Sequence, residues 1–240
     1  MNSISYYLKA LGKVPRILKQ FGRIATYVLN DENYWDEYAR GWQAQGPDGS
    51  LQCLGDEWSN QQVFLELLSK CASKELTGLE IGCGGGRITA HAVGWLRHVH
   101  ACDVSRRMLA RCRESLPASN VSFHKLDGFT LKEFADSSLD LVYSHDVFVH
   151  FSSLQVYPYL REVKRVLKPG AFGLISFLSF GHDFEDFKET SLRYWSRRWF
   201  PPHMRLHFIT EEMLTRMLDD LGLRVREISR KNYLIVLFRK

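Results

Sequence analysis

Short apolar runs alternate with longer amphipathic stretches through most of this 240-residue chain, and this alternation restricts the fold more than any other feature. The runs are separated by stretches with helical periodicity, which lie at residues 87–96, 105–116, 131–134 and 154–167. The runs themselves fall at residues 78–81, 98–102, 121–124, 139–143 and 172–177. Strands that alternate with helices form a parallel sheet with helices on both faces. The sequence therefore predicts an α/β fold.

The last part of the chain departs from this alternation. A helix predicted at residues 211–221 precedes two apolar runs, 223–228 and 233–238, with a short link between them. Such a link favours an antiparallel hairpin at the edge of the sheet. We therefore expect a Rossmann-like, mostly parallel sheet of seven strands that ends in a C-terminal antiparallel hairpin.

The first 60 residues differ in composition from the rest. Apolar residues recur at three- and four-residue intervals up to residue 28, with basic residues between them, which predicts an amphipathic helix. Aromatic and turn-forming residues then predominate up to residue 60 and predict a cap segment. We accordingly divide the chain into an N-terminal helix and aromatic cap (1–60) and one α/β domain (61–240). The domain contains an insertion at about 180–209, at the end of the sheet where a substrate would bind.

The distribution of charge limits the partners. Five basic residues precede Asp31 and equal the whole net charge of +5, so the rest of the chain is balanced. A balanced domain lacks the basic field that duplex nucleic acid requires, and we expect no nucleic-acid partner. The basic amphipathic segment 1–29 either packs on the domain or on a second subunit, or lies in an anionic membrane surface. Five cysteines without paired spacing predict reduced thiols, and no stretch is long enough to span a membrane, so we expect a cytoplasmic protein, at most peripheral at the inner membrane face.

The first predicted strand ends in a run of glycines that follows Glu80. Gly82, Gly84 and Gly86 leave the backbone free to turn tightly and to approach a ligand. The second predicted strand ends at Asp103, about 20 residues later, where ribose hydroxyls are commonly held. The third is followed by Asp127, an acceptor suited to an adenine amino group. Three strand ends therefore fit one adenosine-containing ligand.

Five motifs, in order and suitably spaced, resemble those of class I S-adenosylmethionine-dependent methyltransferases. They lie at residues 79–87, 102–105, 126–128, 140–144 and 165–170. The resemblance covers roughly residues 75–180 and implies S-adenosyl-L-methionine as the cofactor. It places Glu80 near the methionine ammonium, the glycine run at the methionine and ribose, Asp103 on the ribose, and Asp127 with Gly128 at the adenine. The cofactor-binding residues it implies are Glu80, Gly82, Cys83, Gly84, Gly86, Asp103, Val104, Asp127, Gly128 and Ser144.

Methylation of a hydroxyl needs a base close to the end of the fourth strand. His145 and Asp146 follow this strand directly, and His150 lies four residues beyond Asp146, where it can share a helical face with it. The family often carries an acidic residue and a histidine at this spacing. We predict His150 as the general base, Asp146 as its orienting or acceptor-binding partner, and His145 as a third catalytic candidate. A metal-assisted alternative adds His182 and Asp183, and we favour a site without metal.

Aromatic and arginine residues are interleaved between residues 184 and 205, which predicts an acceptor wall or, as the alternative, a buried aromatic cluster with solvated arginines. We expect O-methylation of a sugar, a lipid-linked saccharide or another small acceptor. Two other functions stay open: a Rossmann oxidoreductase that uses NAD or a nucleotide sugar, and a non-catalytic cofactor-binding partner of another methyltransferase. The sequence leaves the oligomeric state open.

Overall fold

A computed structural model describes residues 31–41, 61–116, 118–197, 206–231 and 233–240 of the chain. The predicted N-terminal helix lies outside these residues, as does most of the predicted aromatic cap. The described helices, numbered along the chain, are α1 (Asp31–Gly41), α2 (Gln62–Cys71), α3 (Thr89–Trp95), α4 (Arg106–Ser115), α5 (Ser153–Val166), α6 (Phe184–Arg197) and α7 (Glu211–Asp220). None of them combines the length and apolar character needed to cross a membrane.

A single mixed sheet forms the centre of the domain. Its strands are β1 (Thr77–Ile81), β2 (His98–Asp103), β3 (Val121–Lys125), β4 (Leu139–Ser144), β5 (Leu167–Ser179), β6 (Phe208–Ile209), β7 (Arg224–Ser229) and β8 (Leu234–Arg239). Seven of them run in the order β3-β2-β1-β4-β5-β8-β7. The first five are parallel, and β8 pairs antiparallel with both β5 and β7. The predicted parallel sheet and terminal hairpin are confirmed.

Helices cover both faces of this sheet because the parallel strands are apolar on both sides. Leu79 and Ile81 of β1 join the apolar cluster that contains α5 and α7. Val99 of β2 belongs to the cluster with α2 and α3, and Ala101 packs with α4. A strand buried on both faces reads as a continuous apolar run, and for this reason the sequence located these strands well.

Two sequence predictions need correction. The sheet has eight strands rather than seven, because the two-residue strand β6 pairs with β5 beside the main order. A strand this short has no alternating pattern to detect. The helix predicted at residues 131–134 is a turn. Leu131 and Phe134 are buried there, and the Arg165 guanidinium donates to both of their carbonyl groups, at 3.0 and 2.9 Å.

Gly82 permits the tight approach of the first loop to the residues after β4. It has φ +73°, and a Cβ added there would lie 2.2 Å from Cγ2 of Val147. We expect Gly82→Ala to lower the free energy of unfolding by about 3 kcal/mol or more, because overpacking and left-handed strain add. Gly94 on α3 is the matched control, with no atom within 4 Å of its Cβ position. In urea unfolding, Gly94→Ala should leave stability unchanged or raise it slightly, and equal losses in the two variants would contradict this account.

Candidate active site

One cavity opens at the carboxyl ends of β1, β2 and β4, where open α/β sheets bind their ligands. Its volume is about 1070 Å³, counted out to the mouth. Apolar and charged side chains share its wall. The charged or ionisable lining residues are Glu80, Arg87, Asp103, Asp146, His145 and His150, and the glycine loop contributes Gly82, Cys83 and Gly84. Val104, Met108, Leu126, Gly128, Phe151 and Tyr159 lie among the remaining lining residues.

The glycine loop closes one end of the cavity by backbone hydrogen bonds. The amide groups of Gly82 and Cys83 both donate to the carbonyl of Cys102 on β2, at 2.8 and 2.9 Å. Gly84 has φ +52° and no atom within 4 Å of its Cβ position, so the wall is open there. Gly86 serves a different purpose, since a Cβ there would lie 2.9 Å from Sγ of Cys112 on α4. It permits close helix packing and does not line the cavity.

Asp103 joins the glycine loop to the start of α4. One carboxylate oxygen accepts from the amide of Gly84 at 2.9 Å, and the other accepts from the amide of Ser105 at 2.8 Å. Burial raises the pKa of Asp103 to about 6, against the lowering effect of these amides. The helix cap itself is Ser105, whose hydroxyl accepts from the amide of Met108. Each carboxylate oxygen retains acceptor capacity, so Asp103 can accept two hydroxyl groups from the cavity.

Glu80 is almost completely buried behind the glycine loop. Burial raises the pKa of its carboxyl to about 8, although the hydrogen bond from Thr89, the nearby Tyr143 hydroxyl and the charge of Arg87 lower it. The Thr89 hydroxyl donates to the Glu80 carboxylate at 2.7 Å. A cation placed in the cavity would favour the ionised form of this carboxyl.

Two further predicted cofactor residues do not line the cavity. Both oxygens of Asp127 are occupied within its own turn, by the amides of Phe129 and Thr130, the Thr130 hydroxyl and the Lys132 ammonium. These bonds lower the pKa of Asp127. At this strand end the lining comes from its neighbours Leu126 and Gly128. Ser144 is buried, and its hydroxyl donates to the carbonyl of Ile81 at 2.8 Å, which ties β4 to β1.

The three predicted catalytic residues all line the cavity, but one detail of their prediction is wrong. His150 ends a short 3₁₀-helix, Phe148–His150, whereas Asp146 precedes it with φ +60°. The two therefore do not share a face of one α-helix. A side chain in this left-handed conformation is uncommon and is often found at functional sites. The sequence spacing could not predict this turn, because the residue in the left-handed conformation is an aspartate and not a glycine.

Asp146 is held from two sides. Its carboxylate forms an ion pair with the guanidinium of Arg87, and its amide donates to the hydroxyl of Ser176 at 3.1 Å. His145 is buried beside it, with Nδ1 3.0 Å from the same hydroxyl and its ring stacked on Phe64 at 4.5 Å. Burial lowers the pKa of His145 to about 4, so its imidazole is neutral at physiological pH. Sequence reasoning missed the pairing of Arg87, although this residue directly follows the glycines.

Helix α1 reaches over the cavity from the side of Asp103 and the start of α4. Asp36 accepts from the Ser105 hydroxyl at 2.5 Å and from the amide of Arg107 at 3.1 Å, which fixes α1 to the start of α4. The preceding residue, Trp35, lines the cavity, and its ring meets that of His150 edge to face at 5.1 Å. The helix thus connects both sides of the cavity.

The residues of the metal alternative lie elsewhere. The carboxylate of Asp183 accepts from the amide of Ser179 at 2.6 Å, and Nε2 of His182 lies 4.0 Å from the Glu211 carboxylate. Neither residue lines the cavity. Across the described ranges, no group of three or more histidine, cysteine or acidic side chains is arranged to hold a metal ion.

Comparison with known proteins relates part of the chain to one family. Residues 79–175 match the family model described as a methyltransferase domain. This part of the chain is similar to a methyltransferase domain. The matched region begins at β1 and ends within β5, and therefore includes every strand end that contributes to the cavity.

Proteins similar to this chain agree with the match. An uncharacterized methyltransferase from Schizosaccharomyces pombe is 30% identical over 129 residues, which are 48% of this chain and 44% of that protein. Magnesium protoporphyrin IX methyltransferase from Synechocystis PCC 6803, solved with bound SAH, has a TM-score of 0.62 at 17% identity, over 87% of this chain and 97% of that one. A Haloferax volcanii methyltransferase solved with the Trm112 activator has a TM-score of 0.65 at 17% identity, over 85% and 96%. At these identities the solved structures establish the fold.

The cavity is suited to S-adenosylmethionine, the cofactor of class I methyltransferases. The loop at Gly82 and Gly84 leaves room where side chains would otherwise project, and Asp103 can accept two hydroxyl groups. Three carboxylates face a ligand whose sulfonium and ammonium are both positive. The residues present therefore fit this cofactor.

Proposed function

We propose that this protein transfers a methyl group from S-adenosylmethionine to a hydroxyl oxygen of a sugar, a lipid-linked saccharide or another small acceptor. The observation that carries the proposal is the single cavity that joins Asp103, Glu80 and the glycine loop to His150 and Asp146. S-adenosylmethionine, when bound, supplies an electrophilic methyl group on a positively charged sulfur. The residues of the chain position the donor and remove the acceptor proton.

Donor binding is assigned to one end of this cavity. Asp103 accepts the two ribose hydroxyls, and Glu80 receives the ammonium of the methionine part. At the end of β3, Gly128 lines the cavity beside Val104, where the flat adenine is expected. The proposed contact of the Asp127 carboxylate with adenine requires its turn to open, because both oxygens are already bonded. The backbone of this turn is the better-placed group for the adenine edge.

Acceptor activation is assigned to His150. Its ring lies in the cavity wall against Trp35, in the short helix that follows β4. An imidazole is suited to accept a proton from a hydroxyl group as a general base. Asp146 is fixed by Arg87 and Ser176 and can bind or orient the acceptor hydroxyl. His145 is buried and neutral, which favours a role in holding Asp146, with Nε2 3.7 Å from its carboxylate.

The insertion at about 180–209 is assigned to the acceptor side. Helix α6 exposes Tyr194 and Trp195, which line a second hollow together with Leu206 and His207. The amide of His207 donates to the carbonyl of Val149 at 2.7 Å, so this hollow adjoins the short helix that carries His150. Exposed aromatic faces of this kind suit a sugar ring. The arginines beyond Arg197 in the predicted wall lie outside the described residues.

The division of the chain into a cap (1–60) and a domain (61–240) is part of the same proposal. In the cap, α1 supplies Trp35 to the cavity, which supports a closing role. We also propose a cytoplasmic location with contact between residues 1–29 and an anionic membrane surface, which would bring a lipid-linked acceptor to the cavity. Flotation of the full chain and of a chain without residues 1–29 on anionic vesicles tests this part, and equal recovery would contradict it.

The test of the proposed reaction is methyl transfer from radiolabelled S-adenosylmethionine to a panel of saccharides, glycolipids and small hydroxylated acids. We expect label in at least one acceptor and stoichiometric formation of S-adenosylhomocysteine. The His150→Ala variant, assayed in the same way, gives the level of label transfer that does not depend on the proposed base. Tight binding of the donor without transfer to any acceptor class would favour a non-catalytic partner subunit instead.

Glu80 makes donor binding dependent on pH. Its pKa is about 8 in the ligand-free protein, and the donor's positive charges favour its ionised form. Affinity for S-adenosylmethionine should therefore rise with pH from 6 to 8 and level off above 8, with a limiting slope of about tenfold per pH unit. Uncharged 5′-methylthioadenosine is the control ligand and should lack this slope. Calorimetry with wild type and Glu80→Gln measures both, and a slope that persists in the variant would contradict the assignment.

A further inference from the structure

We infer that Arg87 is the anchor for the carboxylate of the donor's methionine part, and that in the absence of the donor this guanidinium is held in place by Asp146. The inference rests on the proposed function, because it assigns a residue to a ligand that the proposed function requires. It concerns recognition of the amino-acid end of the donor, for which the sequence analysis named Glu80 and the glycine backbone alone.

The charges in the cavity wall point to this role. Among the described lining residues, Glu80, Asp103 and Asp146 are acidic, whereas Arg87 is the single lysine or arginine. The donor carries two positive groups and one carboxylate. The positive groups are attracted to the three acids, but the carboxylate is repelled wherever it lies near one of them. Arg87 provides the one strongly favourable position for it in this part of the structure.

The glycine loop itself cannot easily replace Arg87. Loop amides and helix N-termini commonly bind anionic groups. Here the amides of Gly82, Cys83, Gly84 and Gly86 all donate to oxygens of the protein at 2.8 to 2.9 Å. A carboxylate bound at these amides would have to break bonds that shape the loop. The guanidinium offers a planar fork that matches a carboxylate without such a change.

Arg87 is also placed at the correct end of the cavity. It follows the glycine loop directly, and its charge acts on Glu80, the residue assigned to the donor ammonium. The ammonium and carboxylate of an amino acid are attached to one carbon, so their binding groups must be neighbours. Its side chain is 8% exposed, and that of Asp146 is 13% exposed. Both are therefore desolvated enough for a charged contact to contribute strongly to affinity.

The ion pair with Asp146 gives this anchor a defined position before the donor binds. A buried guanidinium without a partner is costly, and Asp146 supplies that partner at the cavity wall. The left-handed conformation of Asp146 aims its carboxylate at Arg87, and the Ser176 hydroxyl fixes its amide. The donor carboxylate can share the Arg87 guanidinium with Asp146 or displace Asp146 from it. The Asp146 carboxylate then becomes available to the acceptor hydroxyl. Arg87 therefore connects donor binding to the group proposed to orient the acceptor.

The test compares the dissociation constants of S-adenosylmethionine and decarboxylated S-adenosylmethionine, measured by calorimetry on the same preparation of full-length chain. The wild type should prefer the intact ligand about 10- to 100-fold, as expected for a charged hydrogen-bonded contact. Arg87→Met combined with Asp146→Asn should reduce this ratio to about 1. The double variant removes both members of the ion pair, so neither is left as an unpaired buried charge, and asparagine tolerates the left-handed conformation of residue 146.

Asp146→Asn alone is the matched control and should keep the preference or increase it, because Arg87 is retained. If the methionine variant does not fold, Arg87→Gln with Asp146→Asn removes the charge with a polar side chain and should give the same ratio. A ratio that is unchanged without Arg87, or lost in Asp146→Asn alone, overturns the inference. A wild type that binds both ligands equally overturns it while the proposed function survives, whereas binding of neither ligand refutes the proposed function itself.

Discussion

Replacement of Asp103 by alanine is expected to weaken the binding of S-adenosylmethionine by about 100-fold or more. The estimate follows from the loss of two hydrogen bonds to a charged acceptor in a desolvated wall. Asp103 also accepts from the amide of Gly84, so the loop loses one of its hydrogen bonds to β2. Asp103→Asn keeps the shape of the side chain but replaces one acceptor with a donor, and we expect a similar loss. Calorimetric titration of each variant measures the effect.

Asp127 provides the control for this prediction. It is also an acidic residue at the end of a parallel strand, but its carboxylate is bonded within its own turn and does not line the cavity. We expect Asp127→Ala to lower stability while changing the dissociation constant less than threefold. If Asp127→Ala weakened binding as much as Asp103→Ala, the adenine assignment from sequence would be correct and our placement of the turn would be wrong.

Replacement of His150 by alanine is expected to lower turnover by about 100-fold or more while leaving the dissociation constant of S-adenosylmethionine within about threefold of wild type. General base catalysis contributes an effect of this size. The measurement is single-turnover methyl transfer to an acceptor from the panel, at saturating donor.

His182 is the control for His150, because it is a surface histidine near Glu211 that does not line the cavity. His182→Ala should retain the wild-type rate. Trp35→Leu tests the contact made by α1, and we expect a loss of turnover that is smaller than that of His150→Ala. Full turnover in His150→Ala would remove this residue from the mechanism and leave Asp146 as the candidate base.

The sheet could be predicted from sequence because its central strands are buried on both faces. An unbroken apolar run between amphipathic helices leaves few alternatives, and the runs at β1, β2 and β4 were located within a residue or two. The turn at Leu131 to Phe134 could not be distinguished from a helix, because two apolar residues three positions apart satisfy both patterns. Strand β6 was missed because two residues carry no periodicity.

The site was predictable in part, for a related reason. Backbone requirements leave a clear trace in the sequence, and the glycines and Asp103 lie where the pattern located them. Side-chain pairings between distant segments leave no such trace. The ion pair of Arg87 with Asp146 spans 59 positions, and the contact of Trp35 with His150 spans 115, so only the folded chain brings them together. Asp127 has a carboxylate that could accept a hydrogen bond from a ligand, but both of its oxygens already accept hydrogen bonds within its own turn.

The most direct test of the central claim is calorimetric titration of the full-length chain with S-adenosylmethionine, S-adenosylhomocysteine and NAD under one set of conditions. We predict one binding site for each of the two adenosyl ligands, with a dissociation constant in the micromolar range, about 10⁻⁶ to 10⁻⁴ M, and no measurable binding of NAD. Asp103→Ala should remove both interactions. Binding of NAD without S-adenosylmethionine would contradict the account and assign the cavity to an oxidoreductase.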